Sequence, residues 1–299
     1  MRWWPSAVLA LSIVTPIQPL GAQEVVGKRV FSDQLVISEP FVEDELSLPS
    51  ILFLNRGGAD GGRLGRLTKI GGELKKRILA DLELSLGGNL THLAPDHAPS
   101  VTGFDNLEVG LKYQFLRSAS DEAVASVAVR WEVGGTGRAA TGADTSDTVS
   151  PAVLIGKGLG DLPERFALLR PFAFSSVLGL EIPIRRRPLA LAWGGVLEYS
   201  LPYLESFVRR IGLPPPLSGF VPITEIDLRM DLEDRRAGEL TGTVNPGIVW
   251  LGPVLQIGVE AVVPVKDRHD QGVGIRAFVR IPLEVIFGQR AGQPMFGAR

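Results

Sequence analysis

The residues best able to do chemistry are few and poorly grouped. The chain of 299 residues has three histidines, His92, His97 and His269. Two fall in the run Thr91-His92-Leu93-Ala94-Pro95-Asp96-His97, where two imidazoles and a carboxylate are close enough in sequence to meet one metal ion. Pro95 inside that run signals a turn, so the segment reads as a solvated loop and not as a metal centre. There is no cysteine, which excludes a disulfide scaffold, a thiolate zinc site and a cysteine nucleophile. The G-x-S-x-G elbow, the H-E-x-x-H helix and the phosphate-binding loop are all missing. No catalytic residue, bound metal or cofactor is expected.

Charges spaced two residues apart are more informative. Glu225, Asp227, Arg229 and Asp231 follow one another at alternate positions, as do Glu108 and Lys112 across a glycine, Arg130 and Glu132, and Arg276 and Arg280 across Phe278. Glu83, Glu198 and Glu260 stand singly in the same kind of setting. Paired carboxylates such as Glu225 and Asp227 have the chemistry of a general acid and base. A period of two accounts for them more simply, because it places them on one face of a strand. With both signs present, such a face can neutralise itself or line a polar path that selects a solute by charge.

The elements that carry these faces are strands of alternating character. In 103–115, Leu107, Val109, Leu111, Tyr113 and Phe115 point one way, opposite Glu108, Lys112 and Gln114. In 123–133, Val127, Val129, Trp131 and Val133 lie opposite Ser126, Arg130 and Glu132. The pattern recurs in 172–184, 191–203, 220–232, 255–265 and 273–283, more weakly in 149–159 and 244–250, and across a tight turn near Asp81 in 78–86.

A soluble sandwich would bury the apolar faces and wet the polar ones; a membrane barrel would turn the apolar faces to lipid. The segments run to roughly 10–14 residues, long enough to cross a bilayer at a tilt, whereas soluble strands average ~5–6. Tyr113, Phe115, Trp131, Tyr199, Tyr203, Trp250 and Phe287 fall near segment ends, where interfacial girdles sit. The expected fold is an all-β, antiparallel transmembrane β-barrel of about twelve strands. It also explains a mean hydropathy of +0.18 in a chain with no long apolar run beyond its start. The net charge of −2 gives no reason to expect nucleic-acid binding.

Residues 1–22 read as a secretory signal peptide, with Arg2 ahead of a short apolar core, breakers at Pro16 and Pro19, and Gly21-Ala22 for cleavage. An even strand number with both ends periplasmic makes 45–55 the first strand, with Leu46, Leu48, Leu52 and Leu54 on one face. The barrel then spans 45–287, and 56–66, 93–102, 134–147, 185–188, 233–240 and 266–271 become external loops. Two periplasmic connections, 160–169 and 204–218, are long, the second holding a short helix over 204–211. Residues 23–44 form a periplasmic segment that is acidic towards its end (Glu39, Glu43, Asp44). It is expected either to plug the periplasmic mouth against arginines or to hang free as a flexible lead. The tail is 288–299, with Phe287 as the candidate assembly signal.

The run FDNLEVGLKYQFL at 104–116 resembles the D-x-x-x-G-x-K-Y-x-F strand of outer-membrane proteins in the transporter family of the phenol meta-degradation pathway. The later runs LRPF at 169–172, LEYSLPY at 197–203 and NPG at 245–247 follow in a similar order. That resemblance implies an outer-membrane barrel taking up small, often hydrophobic, organic compounds, and carries over no catalytic residue. The combined expectation is a monomeric channel or transporter in the bacterial outer membrane. Its partners are outer-membrane lipid, a small-molecule solute and the outer-membrane assembly machinery. A non-transporting structural or partner-binding barrel is the alternative, and a lipid-modifying enzyme a more distant one.

Overall fold

Alternating residues pair into one closed sheet. The computed structural model describes residues 25–57, 63–185, 188–233, 237–265 and 272–297, so the expected signal peptide and parts of four expected external loops lie outside the described residues. The strands are β1 (Glu45–Gly57), β2 (Arg63–Leu79), β3 (Leu82–Ala94), β4 (Leu107–Ser118, continued backwards by Val101–Phe104), β5 (Ala123–Val133) and β6 (Thr148–Gly158). They continue with β7 (Phe172–Pro183), β8 (Ala190–Tyr199), β9 (Phe220–Asp231), β10 (Leu240–Leu251), β11 (Gln256–Pro264) and β12 (Gly272–Pro282). Each pairs antiparallel with its sequence neighbour, and β12 returns to β1 from Gly272↔Arg56 to Pro282↔Glu45. The result is a closed twelve-stranded antiparallel barrel, and closure leaves no strand edge unpaired.

Burial is inverted relative to a soluble protein. Phe53, Leu86, Leu111, Tyr113, Phe115, Val129, Trp131, Leu178, Leu197, Val259 and Ile275 stand exposed on the outer face. Lys75, Glu83, Lys112, Glu198, Glu225, Glu260 and Arg280 are buried inside. An apolar belt of this extent is stable against lipid and not against water. No helix among the described residues is long and apolar enough to cross a membrane.

Four local features differ from the sequence reading. In β1 the register against β2 and β12 shifts around Leu48-Pro49. This bulge flips the parity, so Leu52 pairs with inward-facing Arg276 while Phe53 turns outward. Leu46, Leu48, Leu52 and Leu54 therefore do not share a face. The expected helix at 204–211 starts earlier: Leu201–Tyr203 and Leu204–Val208 are helical, capped by Ser200, whose hydroxyl accepts from the Tyr203 amide at 3.2 Å. Tyr203 thus leaves the girdle and is buried.

The last strand stops at Pro282 because its partner strand begins at Glu45. Phe287 sits in the short helix Leu283–Phe287 and is 70% exposed, outside any strand. The chain beyond it folds back along the end of β2, the Met295 and Phe296 amides donating to the carbonyls of Arg77 and Ile78.

The short turns at 80–81, 119–122 and 252–255 lie at the rim that also holds Asp44 and the tail, here called the terminal rim. The opposite loop rim carries the long connection 134–147.

Candidate functional site

Residues 25–44 lie inside the barrel. The two-stranded turn Val25–Val26 with Arg29–Val30 sits at the terminal rim, where the Val25 carbonyl accepts from Arg117 at 2.5 Å. From there the chain climbs. The Ser32 amide and hydroxyl donate to Glu198 at 3.0 and 2.5 Å. At the tip the amides of Leu35, Val36 and Ile37 all donate to the Glu225 carboxylate, at 2.6, 3.0 and 3.4 Å. Arg130 meets the Ser38 hydroxyl at 2.6 Å. The chain then descends: the Pro40 carbonyl accepts from Ser126, the Phe41 carbonyl from Lys112 at 2.6 Å, and the Glu43 amide donates to Glu83 at 2.7 Å. Asp44 closes the loop on Lys76 and Arg77, each at 2.8 Å.

Apolar packing fills the space between these contacts. Val26, Phe31 and Phe41 are buried with Val124 and Ala173. Ile37 is buried with Val196, Val221, Ile223, Val249 and Phe278. The inner wall is therefore apolar where the segment packs, a departure from the uniformly polar lumen that alternation suggested. Gly194 makes room for the tip, since a Cβ there would lie 2.3 Å from Ile37 Cγ2.

Two buried charge centres hold the segment. In the first, Lys75 pairs with Glu39, with Glu43 at 2.7 Å and with Glu45 at 3.6 Å. Arg280 pairs with Asp33 at 2.6 Å and Glu39 at 2.8 Å. Burial pushes the Asp33 and Glu43 carboxyls above their ordinary values. Burial acts the same way on Glu39, but Arg280, Lys75 and Lys112 together hold it well below the usual range. The oxygens of Asp33, Glu39, Glu43 and Glu45 come close enough together for a metal ion. The Lys75 and Arg280 cations already stand among them, so the group is an ion-pair cluster with an excess of acid.

In the second centre, fully buried Arg29 pairs with Glu122 at 2.9 Å, donates to the carbonyls of Pro171 (3.1 Å) and Arg170, and lies 4.4 Å from the Tyr203 ring. Glu122 also accepts from the Tyr203 hydroxyl at 3.0 Å and the Gly160 amide at 3.1 Å. These partners hold Glu122 at φ 47°, a conformation that side chains other than glycine seldom adopt. Burial, reinforced by Glu122, pushes the Tyr203 phenol up to about 12.

The remaining sequence-singled residues lie between the tip and the loop rim. Arg276 pairs with Glu260 at 3.1 Å and reaches the Leu35 carbonyl. Arg229 pairs with Glu181 at 2.7 Å and with Asp231. Glu132 accepts from Asn106 at 2.8 Å, and Glu108 stands 3.7 Å from Arg130. A cavity of 430 Å³ opens above the tip, with Glu73, Glu108, Arg130 and Asp227 in its lining. His92 meets Thr102 at 2.7 Å, and Asp96 and His97 are exposed beyond it.

Sequence reasoning missed Glu73, Lys75 and Arg29. The first two would have been found by extending the alternation of 78–86 back along β2, where they flank outward-facing Leu74. Arg29 lies outside the long strands and no periodicity marks it, whereas Glu122 shares the alternate-residue face of Ser126, Arg130 and Glu132.

No protein-family model matches the chain, and no curated protein matches it. Solved structures do. The chain superposes on an outer-membrane channel from Pseudomonas putida F1 with a TM-score of 0.52 at 13% identity, covering 79% of this chain and 92% of that one. A NanC porin gives 0.49 at 9% identity over 78% and 98%, and LpxR from Salmonella typhimurium 0.43 at 10% over 80% and 99%. The first of these likenesses carries the fold, a bacterial outer-membrane β-barrel, and nothing narrower. The resemblance to the phenol meta-degradation family has no family model behind it.

Proposed function

We propose that the chain is a monomeric outer-membrane channel for small organic solutes whose lumen is closed from the terminal side by residues 25–44. The observation that carries this reading is the docking of the tip: three consecutive amides end on buried Glu225, beside Ile37 packed into an apolar ring. Val26, Phe31, Ile37, Phe41 and Val42 are all buried, and at ~1.5–3 kcal/mol per side chain their burial favours docking by roughly 7–15 kcal/mol. Solute passage therefore requires the segment to be displaced. The polar cavity above the tip suits a polar solute better than the hydrophobic compounds that the resemblance implied.

The test is planar-bilayer conductance of refolded protein with and without residues 25–44. The full chain is expected to be almost silent and the deleted form to conduct steadily. A deleted form that keeps its barrel, judged by circular dichroism, yet stays silent would refute the channel. The lipid-modifying reading lacks a comparable observation, since His92 meets a threonine and not a serine nucleophile.

A further inference from the structure

The cavity above the tip exists because its walls lack large side chains. Ala128, Ala152, Gly179 and Ala192 are register partners on adjacent strands β5 to β8, forming one row across the inner wall. The floor is the docked segment and the volume is 430 Å³, within the range of ~300–1,000 Å³ typical of small-ligand sites.

The charges around this space are unbalanced. Among the described side chains, the inward cations around it have carboxylates: Lys69 has Asp105, Arg130 has Glu108, Arg229 has Glu181 and Arg276 has Glu260, while Lys75, Lys112 and Arg280, also in the lining, pair with Glu39, Glu83 and Asp33. Glu73 and Asp227 also line the cavity, and among the described residues neither has an ion-pair or hydrogen-bond partner. Low-dielectric walls focus the field of such groups. An anion would meet repulsion there, and an uncharged solute would displace water from the carboxylates without replacing it.

The placement of the two acids narrows the ligand further. Glu73 is on β2 and Asp227 on β9, five steps apart around the twelve-stranded ring and so on nearly opposite walls. One metal ion cannot be chelated by groups on opposite walls. A short chain with an ammonium at each end can meet both.

We propose that this cavity binds a small linear diamine, one ammonium on the Glu73 side and the other on Asp227. The proposal rests on the channel reading in taking the cavity as the solute site.

The experiment is calorimetric titration of the closed, full-length protein in detergent at low ionic strength, using 1,4-diaminobutane, n-butylamine, butane-1,4-diol and succinate as probes. The diamine is expected to bind about tenfold more tightly than the monoamine, with no detectable binding of the diol or succinate. Glu73→Gln and Asp227→Asn should each bring the diamine down to monoamine affinity. Ala152→Leu, which fills the cavity without touching a charge, should abolish binding. Equal binding of diol and diamine, or unchanged diamine binding in both charge variants, would overturn the proposal. Because this binding needs no open pore, full-length protein that binds diamine while its plug-deleted form stays silent refutes the channel and supports the site. A conducting form whose full-length parent binds no diamine does the reverse.

Discussion

Glu225→Gln tests how the tip of the internal segment is held. Glu225 is completely buried and accepts the Leu35 and Val36 amides at 2.6 and 3.0 Å, with Ile37 more distant at 3.4 Å. Glutamine has nearly the same shape but only one acceptor oxygen, and its NH2 would face an amide donor. At least one charge-assisted bond is lost. Bonds to charged groups contribute ~1.5–3 kcal/mol each, so docking of the tip should weaken by about 2–3 kcal/mol, or roughly 30- to 150-fold in the undocked population. Arg276 keeps Glu260 as its partner, so the effect stays with the segment. The assay is amide hydrogen exchange of residues 35–37 in the refolded protein, where protection should fall by that factor. Asp227→Asn, two residues along the same face and without a bond to the segment, is the control and should leave protection unchanged. Equal protection in wild type and Glu225→Gln would refute the idea that this carboxylate holds the tip.

Other perturbations act on the remaining attachments. Gly194→Val would bring side-chain atoms within 2.3 Å of Ile37, and should raise the frequency of opening events in single-channel recordings while the barrel's circular dichroism stays constant. Arg29→Ala removes one partner of a buried pair, a change that costs ~3–5 kcal/mol elsewhere. Because the chain has no cysteine, Val26→Cys gives a single thiol, and its maleimide labelling should accelerate when Arg29→Ala is added. Docking should also depend on pH. Asp33 and Glu43 have raised values when docked, so they hold more protons docked than free, and docking weakens as pH rises above the ordinary carboxylate range. Glu39 has a lowered value; its contribution is full above that range and is lost only as pH falls through the depressed value. Protection of 35–37, corrected for the intrinsic pH dependence of exchange, should therefore be greater at pH 5 than at pH 8.

The segment accounts for the composition of the inner wall. Inward positions are apolar where they meet Ile37 or Phe31 and charged where they meet its amides and carboxylates. Beyond the tip, facing the cavity, many are small or charged, with carboxylates outnumbering cations. One barrel interior thus has a packed half and an open half, and the boundary runs at Glu225 and Gly194.

Alternation is a local property of the chain, and it was enough to place the strands. Leu107 to Phe115 and Val127 to Val133 declare two faces because neighbouring side chains on a strand must point opposite ways. Which face meets lipid followed from strand length and aromatic placement. The inward orientation of Glu83, Glu225 and Arg280 is the other side of that pattern. Bulges escape this reasoning: the shift at Leu48-Pro49 reverses parity through partner strands far away in sequence. The end of β12 escaped it too, because a strand stops where its neighbour does.

The position of residues 25–44 was decided only in three dimensions. They have no period to read, and each of their contacts is remote: Ser32 to Glu198, Leu35 to Glu225, Asp33 to Arg280. An acidic, irregular stretch is stable as solvated chain unless a closed barrel supplies buried cations and an apolar ring of matching shape. Closure of the sheet creates that interior, so the sequence could specify the wall, while its contents depended on strands brought together from the whole length of the chain.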